Sequence, residues 1–282
     1  MYKIGIISDI HANIDALNAV LLDMERKGVD KIVCLGDIVT KHIYPKEVVD
    51  AVRESCSVVV RGNCDDNVIN NENFKFARSK LGMDRIEYLS QLPLSQQLIY
   101  EQLVLNFFHA TKESNNVKYN PVDQKHVNEM LVGTTPQISF TGHTHTPYAC
   151  QVSSNGLIFP GENTMIIDKD KTYILNPGSV GEPNIPNPDI TDINKWLISE
   201  NMNYILLTCD PKQTTAEIVN VPYSKILIKV YNDFINIQRP DQKGNRQYPS
   251  HPNTTRKIYD SLKNMGEENI VEPETIDIPK SR

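Results

Sequence analysis

The chain has 282 residues and a mass of 32.0 kDa; 39% of its residues are hydrophobic and 23% charged. That balance supports a sizeable core in one large domain or two small ones. A formal net charge of −6 argues against a long basic face for nucleic acid, and no apolar run approaches the ~18 residues of a membrane span.

Near its start the chain carries KIGII, a short run of the buried-strand type that leads straight into Asp9 and His11 and reads as the first strand of the fold and not as a secretion signal. Ile14, Leu17, Val20, Leu21 and Met24 then recur at helical spacing as far as Arg26, and Gly28 supplies a stop. KIVCLG and SVVVRG read as further strands, joined by a helix from Pro45 to Arg53 with proline in its first turn. Strands alternating with helices imply an α/β layer, whose ligands sit at the carboxyl ends of the strands.

Residues 67–90 turn helical and polar. Strand signals return in QLIY, LVLNFFH, ISFTG, YACQV, GLIF, MIID, TYIL, YILLTC and AEIVNV, interrupted by a helix over Val122 to Leu131. This half reads as a β-rich sheet packed on the first. Ser224 to Gln238 has the pattern of an apolar amphipathic helix. Glu182 to Asn201 is rich in Pro, Asn and Asp and reads as a long loop with a short helix around Trp196. Residues 239–282 form a polar extension with one helix near Arg256 to Met265, a tail that is partly disordered or drapes over the body as a lid. The five cysteines, at 34, 56, 64, 150 and 209, contain no CxxC pair and read as reduced thiols of a cytoplasmic protein.

The chemistry concentrates at strand ends. Asp9 and His11 follow KIGIIS two residues apart, so both reach one point; Asp37 ends IVCLGD, Asn63 ends VVVRGN, His109 ends LVLNFFH, and His143 and His145 follow ISFTG. Four imidazoles, two carboxylates and one amide oxygen form a mixed donor set suited to Mn, Fe, Co, Ni or Zn, and not to Ca or Mg. Seven ligands exceed what one tetrahedral ion needs and match two divalent ions sharing a bridging carboxylate. Two such ions, two aspartates and a bridging hydroxide leave about one net positive charge to attract phosphate, and the neutral Asn63 helps to preserve it. His126 and His251 have no motif around them and read as surface residues.

DIH, GD, GNCD, a strand-end His and GHTH in that order resemble the calcineurin-like metallophosphoesterase superfamily, and NPGSVG at 176–181 resembles its bacterial phosphodiesterase branch. The resemblance spans roughly residues 1–225. It implies two packed mixed β-sheets flanked by helices, a four-layer α/β (α+β) sandwich, with residues 1–238 as the metallophosphoesterase domain. It implies one metal held by Asp9, His11, Asp37 and His145, and a second by Asp37, Asn63, His109 and His143, with Asp37 bridging. The implied activity is hydrolysis of a small phosphorylated substrate, a phosphodiester or a dinucleoside polyphosphate, through a metal-bridging hydroxide that attacks phosphorus in line. Asp37, Asn63, His109 and Cys64 are the candidate catalytic residues.

Several positions depart from the family pattern. Cys64 stands where many members carry the histidine that protonates the leaving group, which implies leaving groups that need little protonation. Arg61 occupies the place of a phosphate-contacting arginine in the Ser/Thr protein phosphatases, an alternative phosphomonoesterase reading weakened by GNCD in place of GNHE. Lys41 and His42 lie in the loop after Asp37 and are candidates to bind a second phosphate. Glu182 replaces a glutamine after NPGSVG, and the arginine that often follows is lost. A metal-binding scaffold without catalysis is a further alternative, disfavoured because all seven ligand positions are filled.

Overall fold

The computed structural model describes residues 1–100, 103–117, 138–153, 156–160, 162–185, 197–223 and 252–266, and positions 226, 229, 230 and 233. The chain opens with β1 (Tyr2–Ile7), α1 (Ile14–Arg26), β2 (Lys31–Cys34), α2 (Pro45–Ser55) and β3 (Val58–Val59). Three short helices follow: α3 (Asn63–Asn70), α4 (Lys75–Leu81) and α5 (Met83–Gln91). Then come β4 (Ser95–Tyr100), β5 (Leu103–Phe108), β6 (Ile138–Phe140), β7 (Pro147–Ser153), β8 (Gly156–Ile158), β9 (Thr164–Ile167) and β10 (Thr172–Pro177). The described elements close with β11 (Asn184–Ile185), β12 (Leu197–Ile198), β13 (Asn201–Cys209), β14 (Thr214–Pro222) and α6 (Pro252–Asn264).

Two mixed sheets of six strands form the body, in the orders β3-β2-β1-β13-β14-β9 and β4-β5-β6-β10-β7-β8. The expected parallel β1–β2–β3 layer is present. On its other side β1 pairs antiparallel with β13, register Ile4 to Leu207, so the start of the domain is sealed by a strand about two hundred residues away. The period-2 rule explains the layers. Ile4 and Ile6 of β1, Ile205 and Leu207 of β13, and Leu105 and Phe107 of β5 face the space between the sheets. Ile7, Tyr204 and Leu206 point the other way, against Ala16, Leu17, Val20 and Met24 of α1 and Val48, Val49 and Val52 of α2.

Local chemistry agrees with the elements. Asn13 caps α1, its side-chain oxygen accepting from the Ala16 N–H at 3.2 Å. The polar helical stretch 67–90 resolves into three helices, broken at the Gly82 between α4 and α5. SVVVRG is a strand over two residues only: the Val60 N–H still donates to the Cys34 carbonyl, but the next one, of Arg61, turns away to the Pro93 carbonyl. The Glu182 to Asn201 segment carries, instead of loop alone, an antiparallel pair of two-residue strands, Asn184 opposite Ile198 and Ile185 opposite Leu197. The helices expected over Val122–Leu131 and around Trp196, as well as His126 and His251, lie outside the described residues. Positions 226, 229, 230 and 233 are helical, as the pattern of 224–238 requires. In the extension, α6 packs on the body: Ile258 and Leu262 are fully buried in the cluster that also holds Tyr204 and Tyr223. None of the described helices is long and apolar enough to cross a membrane.

Candidate metal centre

The strand ends deliver the seven expected ligands to one place. Asp9 and His11 follow β1, Asp37 follows β2, Asn63 opens α3, His109 follows β5, and His143 and His145 follow β6. Five of them adopt the left-handed backbone that L residues avoid: φ is +55° at Asp9, +51° at His11, +52° at Asp37, +67° at His143 and +60° at His145. Each such position costs on the order of 1 kcal/mol and persists only where surrounding contacts over-determine it. Those contacts run between the loops. The N–H groups of Asp9, His11 and Ala12 donate to the carbonyls of Gly36, Asp37 and Ile38 at 2.8–3.0 Å.

The side chains converge. His145 Nε2 lies 3.3 Å from Asp9 Oδ1 and 2.9 Å from His11 Nε2. His109 Nε2 lies 3.1 Å from Asn63 Oδ1 and 3.5 Å from Asp37 Oδ1, while Asp37 Oδ2 lies 3.9 Å from His11 Nε2. The His143 ring stands edge-on to His109 at 5.2 Å between centroids, and its backbone N–H donates to Asp9 Oδ2 at 3.0 Å. Asp9, His11 and His145 present ligand atoms that could hold one ion, and Asp9, Asp37 and His109 form another such group; a third comprises His11, Asp37 and Cys64.

The donor chemistry fits a cation. His109 donates its Nδ1–H to the Leu35 carbonyl and His145 its Nδ1–H to the Glu182 carbonyl, both at 2.8 Å. In the neutral ring each Nε2 then has its lone pair turned inward, the orientation that a carbonyl behind Nδ1 gives a metal-ligating imidazole. Asp9 Oδ1, fully buried, has no hydrogen-bond donor among the described residues and faces the Nε2 atoms of His145 and His11 at 3.3 and 3.8 Å. Acceptors facing acceptors in a buried space are stabilised by a positive ion. Burial by itself would raise the Asp9 carboxyl, but positive charge on His145, His109 and His11 when they are protonated, charge that a bound cation would replace, holds it well below the usual range. Burial, with Lys41 and His145 adding to it, pushes the His11 imidazole well down. Burial and the nearby His109 lower His143 to about 4, leaving its ring neutral and able to ligate.

The remaining predicted residues divide. Cys64 donates its N–H to Asp37 Oδ1 at 2.7 Å, and burial and Asp37 push its thiol well up. Lys41 reaches the ligands: its Nζ lies 3.4 Å from His145 Nε2 and 2.6 Å from Glu182 Oε2. Arg61 has other neighbours, its Nε 2.8 Å from Asp66 Oδ1 and its Nη1 donating to the Ser90 carbonyl. His42 is buried and lines a small cavity with Asn13, Ile43, Tyr44, Val230 and Asp233.

Sequence reasoning missed two supports. Asp65, fully buried, accepts from the N–H groups of Ile38, Val39 and Gly62, tying the loop after β2 to the start of α3. Gly62 lies so close to Asp37 that a Cβ there would sit 2.2 Å from its amide nitrogen and Oδ1. The second support is NPGSVG. The Ser179 hydroxyl donates to the Asp9 carbonyl at 2.7 Å, and a Cβ on Gly181 would lie 1.9 Å from the Ile10 carbonyl oxygen. The acid of GNCD and the glycines of NPGSVG were visible signals, yet their partners are far away in sequence.

Comparison with known proteins agrees with this architecture. The model of the calcineurin-like phosphoesterase superfamily domain matches residues 2–191. The uncharacterized protein MJ0912 of Methanocaldococcus jannaschii is 30% identical over 256 residues, 87% of this chain and 97% of that protein. Among solved structures, a metallophosphoesterase from Sphaerobacter thermophilus superposes with a TM-score of 0.68 at 24% identity, covering 92% of this chain and 99% of that one. The hypothetical protein PH1004 from Pyrococcus horikoshii has a TM-score of 0.62 at 18% identity, covering 86% and 96%.

Proposed function

Because the chain belongs to the calcineurin-like phosphoesterase superfamily, a family of metal-dependent phosphoester hydrolases, we propose that it hydrolyses phosphodiesters or dinucleoside polyphosphates. In this reading Asp9, His11, Asp37 and His145 hold one divalent transition-metal ion, and Asp37, Asn63, His109 and His143 hold the second. The observation that carries it is the orientation of Asp37, whose Oδ1 lies 3.5 Å from His109 Nε2 and whose Oδ2 lies 3.9 Å from His11 Nε2. One carboxylate addressing two imidazoles on different strands is what a bridging ligand requires. Bound divalent ions supply Lewis-acid stabilisation of phosphoryl oxygens and a lowered pKa for coordinated water.

The protein's own groups set the rest. Leu35 and Glu182 carbonyls hold the His109 and His145 rings in the tautomer that ligates. Asn63 contributes an oxygen without a charge, so the centre keeps its attraction for an anion. Cys64 in place of a histidine offers no imidazolium to protonate the leaving group, which favours nucleotide phosphates and nitrophenolate. The five cysteines, none of them in a disulfide, support a reducing, cytoplasmic setting.

The test is a substrate screen on protein reconstituted separately with Mn and Fe, using bis-nitrophenyl phosphate, cyclic nucleotides, dinucleoside polyphosphates and phosphopeptides. Turnover of the diesters or dinucleotides above phosphopeptides is expected. Preference for phosphopeptides would move the protein to the phosphatases, and inactivity of fully loaded protein would leave a binding scaffold.

A further inference from the structure

Two residues that depart from the family pattern in separate loops meet in space. Lys41 Nζ lies 2.6 Å from Glu182 Oε2, and the same oxygen lies 3.8 Å from His145 Nδ1. The side chains are 23% and 6% exposed respectively, so the ammonium is the partner open to an incoming ligand. Both ends are held in place. Thr40 and Lys41 sit at φ +77° and +59°, and the next N–H, that of His42, donates to the His11 carbonyl at 3.0 Å. The Glu182 N–H donates to the Ser179 hydroxyl at 2.9 Å, and its carbonyl receives the His145 Nδ1–H.

We propose that the Lys41–Glu182 pair is a specificity-determining element that selects substrates carrying a second phosphate beside the scissile one, with Lys41 exchanging the Glu182 carboxylate for an oxygen of that second phosphate. The inference rests on the phosphohydrolase reading above and names its substrate class. In the free protein the pair is neutral, so Lys41 adds no general attraction for anions. A ligand must outcompete a carboxylate held at 2.6 Å. A simple diester has one negative charge, which the metal centre itself takes up, and has none left for the ammonium. A polyphosphate chain has charge to spare and places it one phosphoryl group away. Lys41 lies beside His145, at the edge of the ligand set and not at its middle, which suits an oxygen beyond the reacting phosphorus. Charge-assisted hydrogen bonds of this kind are the strong ones.

Calorimetric titration of metal-reconstituted protein, freed of excess metal, with ADP and AMP reads the effect directly. In the wild type ADP binds at least about tenfold tighter than AMP, the scale of one charged hydrogen bond. Lys41→Ala brings that ratio close to one, whereas Lys41→Arg retains it. Glu182→Gln, which leaves the backbone carbonyl under His145 in place, tightens ADP binding. Metal content after titration and unfolding midpoints show whether each variant is loaded and folded. An ADP-to-AMP ratio unchanged in Lys41→Ala, or equal weakening of both nucleotides, overturns the proposal. Bis-nitrophenyl phosphate turnover in the same wild-type sample separates the two readings: if turnover is present and the ratio insensitive to Lys41, this inference alone fails. If no phosphoester is turned over, the hydrolase reading fails.

Discussion

The Asn13 side-chain amide donates to the Tyr223 hydroxyl at 2.6 Å, and that hydroxyl donates in turn to the Gly181 carbonyl at 3.0 Å. Asn13 also donates to Gly181 directly at 3.2 Å, while its oxygen caps α1. A single buried network thus joins the loop that carries Asp9 and His11, the NPGSVG turn and the end of β14.

Tyr223→Phe removes the hydroxyl and leaves buried polar groups short of partners. The expected loss is about 1–3 kcal/mol in denaturant unfolding of the metal-free protein. Because the network backs the Asp9 loop, metal affinity should fall by roughly tenfold or more, measured by competition with a chelator. Unchanged stability together with unchanged affinity would show that the network does not support the site.

Asp37→Asn tests the bridge. The amide keeps the shape but removes the charge between His11 and His109, which lie 3.9 and 3.5 Å from the Asp37 carboxylate. Metal affinity at both positions is expected to fall by more than about a hundredfold, beyond the range of outer-shell changes. Elemental analysis that finds only one ion lost would assign Asp37 to a single metal.

Cys64→His addresses the leaving group. With an imidazole in place of the thiol, turnover of alkyl-alcohol esters is expected to rise relative to nitrophenyl esters, by up to about a hundredfold for a well-placed general acid. A constant ratio between the two ester classes would remove Cys64 from the account of specificity.

Away from the site, Arg85 clamps Asp50 with two hydrogen bonds of 2.8 and 2.7 Å, joining α5 to α2 and holding the Asp50 carboxyl below its usual range. A depressed carboxylate pKa stabilises the fold above the unfolded value of about 3.9, and the gain is lost as pH falls through the folded value. Asp50 is 43% exposed on its side chain, so solvent screening keeps the effect of Asp50→Asn under about 1 kcal/mol at neutral pH. The difference between wild type and variant should begin to shrink in urea unfolding as pH falls toward about 4 and vanish only below the lowered folded pKa of Asp50. A difference that persists in acid would point to packing and not to charge.

The candidate centre was legible from the linear chain because its candidate ligands stand just after strands, four of them in the local pairs Asp9–His11 and His143–His145. Apolar runs before DIH, Asp37, Asn63, His109 and HTH mark them as strand-terminal, although the two-residue period of an extended strand does not position the pairs, because Asp9, His11, His143 and His145 all lie at positive φ. The layers were legible from that period, since Ile4 and Ile6 alternate with Ile7 between the two cores. Pairings at long range were not. The antiparallel β1–β13 contact and the meeting of Lys41 with Glu182 join segments that carry no local mark of each other. Lys41, His42 and Arg61 were each open in the sequence between a phosphate contact and a solvated surface position, and packing set Lys41 beside His145, buried His42 beside Asn13 and Tyr44, and turned Arg61 to Asp66. The sequence by itself determined which residue types stand at the ends of which strands, because that depends on short-range periodicity. Only the tertiary structure decided which charges face one another, because that depends on how the two sheets and their loops close.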